Sequence, residues 1–372
     1  MRTASRTARQ GGFTLIEIMV GCAISVVGLL VIFQTLAVWN KHSQSTTAGS
    51  DADVAGTLAI FNIDRDLRVG GYGIGTADTT LMGCPVALTD VVTVRAFSFT
   101  MAPVLITVGA GGAPDSINVL YGSSSFFTSN ERVISSTGTS NFLERRNGFK
   151  QGDLAILAGT AASGVPACSL VEITDTSNAD GFTIAHTSAA TYSSYYAASG
   201  AASANAAFNP AVAYPIVSSA MLFNLGPNAR LNLWSIAHNR VLQRTDLIHG
   251  TPAFDVAEGV INLKAQYGVD TNADGQIDSW TTVPPADWTT VVAIRTAVLV
   301  RSGQFERSPD AGASSASAPV TTANPAWAGG AFLMTNVDGT TDTNPGVDPN
   351  NWRSYRYRVY ERVIPLRNMI WG

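Results

Sequence analysis

The sequence predicts an α+β fold: a long N-terminal helix, transmembrane in its first half and amphipathic in its second, packed on an antiparallel β-sheet enlarged by long loop insertions. Three observations predict it. An almost unbroken apolar run extends from Ile18 to Trp39. A helical spacing then resumes at Val54, Leu58 and Phe61, widened by Ile60, Ile63 and Leu67, and stops at Gly70-Gly71. Beyond Cys84, short alternating or apolar runs are separated by clusters of Gly, Ser, Thr and Asn.

The apolar run has about the twenty residues an α-helix needs to cross a hydrocarbon layer of roughly 30 Å. Arg2, Arg6 and Arg9 precede it with no acid among them, and positive charge on that side keeps the N-terminal end cytoplasmic and puts the remainder outside. No small-residue cleavage site follows the run, so the helix is expected to stay in the mature chain. Its second half, with the apolar spacing at 54, 58 and 61 widened by Ile60, Ile63 and Leu67, should pack on the sheet. Gly49 and Gly56 should loosen it, and Gly70-Gly71 should end it, since glycine readily takes the left-handed conformation that stops helices.

The strand-like runs are Val91 to Phe97, Val104 to Val108, Ser116 to Tyr121, Asp153 to Leu157, Leu170 to Ile173, Phe182 to Ala185, Leu231 to Ile236, Val260 to Tyr267, Val291 to Arg301 and Tyr355 to Leu366. Two stretches interrupt them, Thr187 to Tyr214, rich in Ala, Ser and Tyr, and Ser308 to Asn351, rich in Ala, Gly, Asn, Asp and Pro. Both read as long surface excursions. No internal repeat and no linker divides this region, so residues 72–372 read as one β-rich head.

Charged residues are 13% of the chain and the formal net charge is -4, which offers no basic face for a phosphate backbone, so no nucleic-acid partner is expected. Of three cysteines, Cys22 lies in the apolar run, while Cys84 and Cys168 lie in the exported part. An oxidising compartment favours a Cys84 to Cys168 disulfide, which by the chain-entropy argument would contribute about 4 kcal/mol; the alternative is two separate buried thiols.

The stretch Gly12-Phe13-Thr14-Leu15-Ile16-Glu17 resembles, almost letter for letter, the signature of the type IV pilin and pseudopilin superfamily. The resemblance implies a type IV pilin-like fold and cleavage after Gly12 by prepilin peptidase. Residues 1–12 are then a leader peptide, 13–39 the transmembrane part of the helix and 40–71 its exported part. It also implies N-methylation of Phe13 and an assembly role for Glu17, the fifth residue after the cut, whose carboxylate would pair with the α-amino group of a neighbouring subunit. A carboxylate near a bilayer interior costs several kcal/mol unless neutralised, which gives that pairing its physical reason.

The segment Asp66-Leu67-Arg68-Val69-Gly70-Gly71-Tyr72, followed by Gly83-Cys84, narrows the resemblance to PilW-like proteins, as do Tyr267-Gly268-Val269-Asp270 and the closing strand. What this implies is a minor pilin that helps initiate pilus assembly and sits in a tip complex with other minor pilins, the major pilin and a PilY-type tip adhesin. It would reside in the inner membrane with a periplasmic head before assembly, and on the pilus at the cell surface afterwards. The alternatives are a type II secretion pseudopilin of the GspJ kind and a tip-borne adhesion module.

Asp270, Asn272, Asp274, the Gln276 carbonyl and Asp278 fall at positions 1, 3, 5, 7 and 9 of a calcium loop, with Gly275 at the tight turn. Thr281 stands where such a loop has its bidentate Glu, so a Ca2+ ion would need another carboxylate, such as Asp287. A second acidic group, Asp338, Asp342 and Asp348, lacks the alternate spacing. His42, His186, His238 and His249 are scattered, and no catalytic motif is present; the expectation is a non-enzyme.

Overall fold

The computed structural model describes residues 14–75, 81–125, 130–145, 148–161, 166–178, 180–188, 190–197, 204–209, 216–237, 240–306, 319–334 and 351–370. Two units result, Met1–Asp51 and Ala52–Gly372. Helix α1 (Leu15–Val69) is continuous, so Gly49 and Gly56 do not loosen it as the sequence suggested. A single glycine costs a helix interior about 1 kcal/mol, which neighbouring turns readily absorb.

In the first unit the side chains from Leu15 to Trp39 point outward, and none of the most apolar window, of mean hydropathy 2.6, is buried. Two of its hydroxyls are satisfied within the helix. Ser25 Oγ donates to the Gly21 carbonyl at 2.8 Å and Thr35 Oγ1 to that of Val31 at 2.8 Å, as a helix in hydrocarbon requires.

In the second unit the helix buries one part of the apolar set that the spacing picked out and leaves the other exposed. Ala52, Ala59, Ile60, Ile63 and Leu67 enter the core, whereas Val54, Leu58 and Phe61 are exposed. Both sets obey the helical period; what selects between them is that Asp64 and Asp66 lie on the buried side and find partners there.

The chain then forms β1 (Pro85–Asp90), β2 (Arg95–Thr100), β3 (Val104–Thr107), β4 (Ser116–Tyr121), β5 (Glu131–Ser136), β6 (Ser140–Leu143), β7 (Leu154–Ala161), β8 (Pro166–Glu172), β9 (Thr183–Ala185), β10 (Thr191–Tyr192) and β11 (Ala204–Asn205). There follow β12 (Ile216–Gly226), β13 (Arg230–Ile236), β14 (Val241–Asp246), β15 (Phe254–Glu258), β16 (Val260–Val269), β17 (Ser279–Thr281) and β18 (Val291–Arg301). Last come β19 (Ala326–Trp327), β20 (Gly330–Ala331), β21 (Tyr357–Pro365) and a helical turn α2 (Arg367–Ile370).

They form several sheets where the sequence suggested one. An eight-stranded sheet runs β2-β1-β8-β7-β12-β5-β6-β9, a five-stranded one β15-β14-β13-β4-β3, and a four-stranded one β17-β16-β18-β21; β10-β11 and β19-β20 are small pairs. All neighbours are antiparallel except β1 and β8, which pair in parallel over Val86↔Cys168 and Ala87↔Ser169. The main core gathers Ile63 and Leu67 of α1 with Leu120, Trp234, Tyr267, Val298 and Ile364 from several strands. The separate cluster of Ala297, Leu299 and Phe332 covers the other face of β18.

Neither excursion is purely superficial. In the first, Phe208 and Asn209 are buried. Asn209 exchanges two hydrogen bonds with the Glu172 backbone at 2.8 and 2.7 Å, and the Glu172 carboxylate accepts from Tyr192 Oη and from the Ala207 amide. In the second, Phe332 is buried on β18. A buried acid ending β8 and a bare apolar strand face draw these Ala- and Gly-rich segments inward, which composition does not disclose. The group Asp338, Asp342 and Asp348, and His238, lie outside the described residues.

Candidate assembly and anchoring site

The helix begins at a reciprocal cap. Glu17 Oε2 accepts from the Thr14 amide at 2.9 Å and from Thr14 Oγ1 at 3.0 Å, while Thr14 Oγ1 accepts from the Glu17 amide at 3.3 Å. This is the Thr-x-x-Glu capping box, which satisfies amides that have no partner within the helix. The signal is present in the sequence as Thr14 and Glu17 three residues apart, the same Glu17 to which the pilin resemblance gives an assembly role. Gly12 and Phe13 lie outside the described residues.

Three acids in the second half of α1 fasten it to the head. Asp66, almost fully buried, accepts from Asn232 Nδ2 at 2.7 Å, Trp234 Nε1 at 3.0 Å and, more weakly, Tyr121 Oη at 3.5 Å. Burial first, then the Asp66 charge, pushes the Tyr121 hydroxyl up to about 12, so it remains a donor at neutral pH. Asp64 bonds Arg68 at 2.9 Å and lies 3.5 Å from Arg362 of β21. Asp53 accepts from Tyr360 Oη and pairs with Arg358 at 3.0 Å. Arg358 and Arg362 are half exposed, so their pairs orient the helix more than they stabilise it.

These contacts account for the segment from Asp66 to Tyr72 residue by residue. Asp66 anchors, Leu67 fills the core, Arg68 holds Asp64, and Gly71 takes φ 84 so that its amide reaches the Leu120 carbonyl at 2.9 Å. Tyr72 Oη then donates to the Ser124 carbonyl at 2.6 Å. At the same end, Asn368 Nδ2 in α2 donates to the carbonyls of Val69 and Gly70, both at 3.2 Å, and the Val69 carbonyl also accepts from the Tyr72 amide at 3.2 Å.

Gly56 marks a close approach. A Cβ there would stand 2.0 Å from Tyr360 Cε2. Gly56→Ala should therefore destabilise the head by about 2 kcal/mol, as overpacking does, even though alanine is the better helix former. In Gly56→Ala/Tyr360→Ala the alanine at position 56 should add nothing to the cost of Tyr360→Ala alone, as read by denaturant midpoints.

Cys84 and Cys168 form a disulfide with both residues buried, which selects one of the two readings of the sequence. It stands where β1 meets β8. Cys22 is a free thiol on the apolar helix.

In the turn from Asp270 to Asp278, Asp270 is buried and its Oδ2 accepts from the Gly275 amide at 2.8 Å. Asn272 Oδ1 accepts from the Asp274 amide at 2.9 Å, and Asp274 Oδ1 from that of Gln276 at 2.8 Å. Asp278 Oδ2 accepts from the Thr271 amide and hydroxyl, which hold its carboxyl below the usual range. Gly275 takes φ 82. Asp287 caps the turn Trp288–Thr290, and the Thr290 carbonyl accepts from the Asp270 amide at 2.9 Å. Among the described residues no three His, Cys, Asp or Glu side chains converge as a metal-holding group; the loop set relies also on Asn272 and a backbone carbonyl. Just ahead of it, Tyr267 Oη accepts from the Ile106 amide at 2.6 Å, and Gly268 leaves room for Trp280, so the Tyr-Gly-Val-Asp stretch has packing reasons of its own.

His186 is buried, and burial pulls its imidazole down to about 4. His249 sits on Asp246, 2.7 Å from its Oδ2.

Residues 7–33 match the Prokaryotic N-terminal methylation motif, and residues 239–368 match Type IV Pilus-assembly protein W. Compared with curated proteins and with solved structures, the chain gives no match. The PilW segment runs through β14 to β21 and ends at Asn368, so it takes in the four-stranded sheet and the residues that grip α1 from the C-terminal side. A prepilin motif at one end, this segment at the other, and an apolar helix leading into antiparallel sheets together support a PilW-like minor pilin of the type IV pilus.

Proposed function

We propose that this minor pilin joins other minor pilins and a PilY-type tip adhesin in a complex that primes polymerisation of the major pilin and remains at the filament tip. Prepilin peptidase cuts after Gly12, and Phe13 is methylated. The subunit waits in the inner membrane, N-terminus in the cytoplasm and head in the periplasm, until it enters the pilus and reaches the surface. It works by packing, without catalysis. The observation that carries this reading is the fully exposed apolar face of α1 with a carboxylate in its first turn: the helix needs hydrocarbon or like helices around it, and the charge needs an opposite partner.

Two tests apply. Deleting the gene should abolish surface pili where retraction operates and leave many when retraction is disabled; equal loss in both backgrounds would refute a priming role. Glu17→Gln keeps a capping-box residue while removing the charge. It should reduce recovery of the subunit in sheared pili by about tenfold or more, the scale of one charge-assisted hydrogen bond, without altering the head's melting temperature.

The proposal includes a Ca2+ ion in the turn from Asp270 to Asp278, supported by the turn's wound backbone and alternate oxygens. Full-length protein in detergent should melt higher in millimolar calcium than in chelator, and Asp274→Ala should erase the difference. Equal melting in both solutions would remove calcium from the reading.

A further inference from the structure

Beside the end of α1, where Tyr121 and Asn232 also hold Asp66, β4, β13, β14 and β15 frame a half-open cavity of ≈ 250 Å³ lined by Tyr121, Arg230, Asn232, Arg244, Asp246 and Phe254, with Thr251 and Pro252 at its rim. Strand register explains the grouping. Arg230 lies opposite Tyr121, Asn232 opposite Asp246, and Trp234 opposite Arg244, so alternate residues of three strands present polar groups on one face.

Charge accounting shows what is left over. Asn232 spends both amide hydrogens on Asp66 and Tyr121, and Asp66 also takes the Trp234 N–H, so the floor is closed. Asp246 is buried and bonded to Arg230 Nη1 at 2.6 Å and to His249 Nδ1 at 2.7 Å. Burial would raise its carboxyl, but these two partners outweigh burial and hold it below the ordinary range, so it remains the counter-ion of Arg230 at neutral pH. Arg244 makes no ion pair among the described residues; its guanidinium faces the exposed ring of Phe254 with 6.0 Å from Cζ to the centroid. Arg244 is therefore the guanidinium of this cavity that no carboxylate touches directly, and it stands beside an aromatic wall.

We propose that this cavity binds a small carboxylate carried on an apolar or ring-bearing arm. The carboxylate takes a paired hydrogen bond from Arg244, a geometry planar guanidinium favours, and the arm lies on Phe254. A single guanidinium outside any ion pair suits a monoanion. A phosphate dianion would bring its second charge towards Asp246.

Calorimetric titration of the full-length protein in neutral detergent micelles tests this, with benzoate, benzyl alcohol and inorganic phosphate as probes. Benzoate should bind at one site, at least about tenfold tighter than either comparison compound, and more weakly as salt rises. Arg244→Gln should reduce benzoate affinity about tenfold or more, and Phe254→Ala several-fold. Arg132→Gln, on distant β5, should change nothing. Phe254 is exposed, so its substitution leaves melting unchanged and reads binding alone. Equal binding of benzoate and benzyl alcohol, tighter binding of phosphate, or full affinity in Arg244→Gln or in Phe254→Ala would overturn the proposal.

Discussion

Replacing Cys84 and Cys168 together by serine should lower the head's unfolding free energy by about 4 kcal/mol, the chain-entropy value for a loop of this length. The bridge spans a sequence separation of 84 and stands beside the one parallel junction in the large sheet. That junction has only two registered pairs, whereas β7 and β8 align over seven. The covalent link therefore holds β1 and β2 to the remainder of the sheet where hydrogen bonding is thinnest. Denaturant unfolding with and without reductant measures the effect. An unchanged midpoint would mean that apolar packing of Val86 and Leu88 already fixes the junction.

Asp66→Ala should cost about 3 kcal/mol, since it strands the buried donors of Asn232 and Trp234 without an acceptor, each with its own desolvation penalty. Asp66→Asn keeps one acceptor oxygen and should cost about half as much. The comparison with Trp234→Phe is decisive. If Asp66 and Trp234 act through one hydrogen bond, the double substitution Asp66→Ala/Trp234→Phe will be less damaging than the sum of the singles, by about 1 kcal/mol. Strict additivity would assign the role of Asp66 to Asn232 alone.

The N-terminal helix was legible because a membrane-length apolar run and a glycine stop are local signals, and α1 ends at Val69 just before Gly70-Gly71. The strands of strongest alternation were legible too: Ser116 to Tyr121 and Val291 to Arg301 coincide with β4 and β18. Three features were not. The inward face of α1 could not be chosen from spacing, because Val54, Leu58 and Phe61 satisfy the same period as Ile60, Ile63 and Leu67; only the partners of Asp64 and Asp66, far along the chain, decide. The division into separate sheets depends on pairings such as β4 with β13, which alternation within a strand does not encode. The cavity at Arg244 joins residues from β4, β13, β14 and β15, and no spacing brings them together.

The grip on the helix comes largely from the far end of the sequence: Arg358, Tyr360 and Arg362 of β21 reach Asp53 and Asp64, and Asn368 reaches Val69. Under the proposed export of the head, the stem emerges first and must wait about three hundred residues for the strand that clasps it, a delay that slow loop closure only lengthens. Quality control therefore falls on the last segment to arrive. A subunit interrupted before β21 would present an unclasped stem beside an incomplete four-stranded sheet, and should be cut by proteases faster than the full chain.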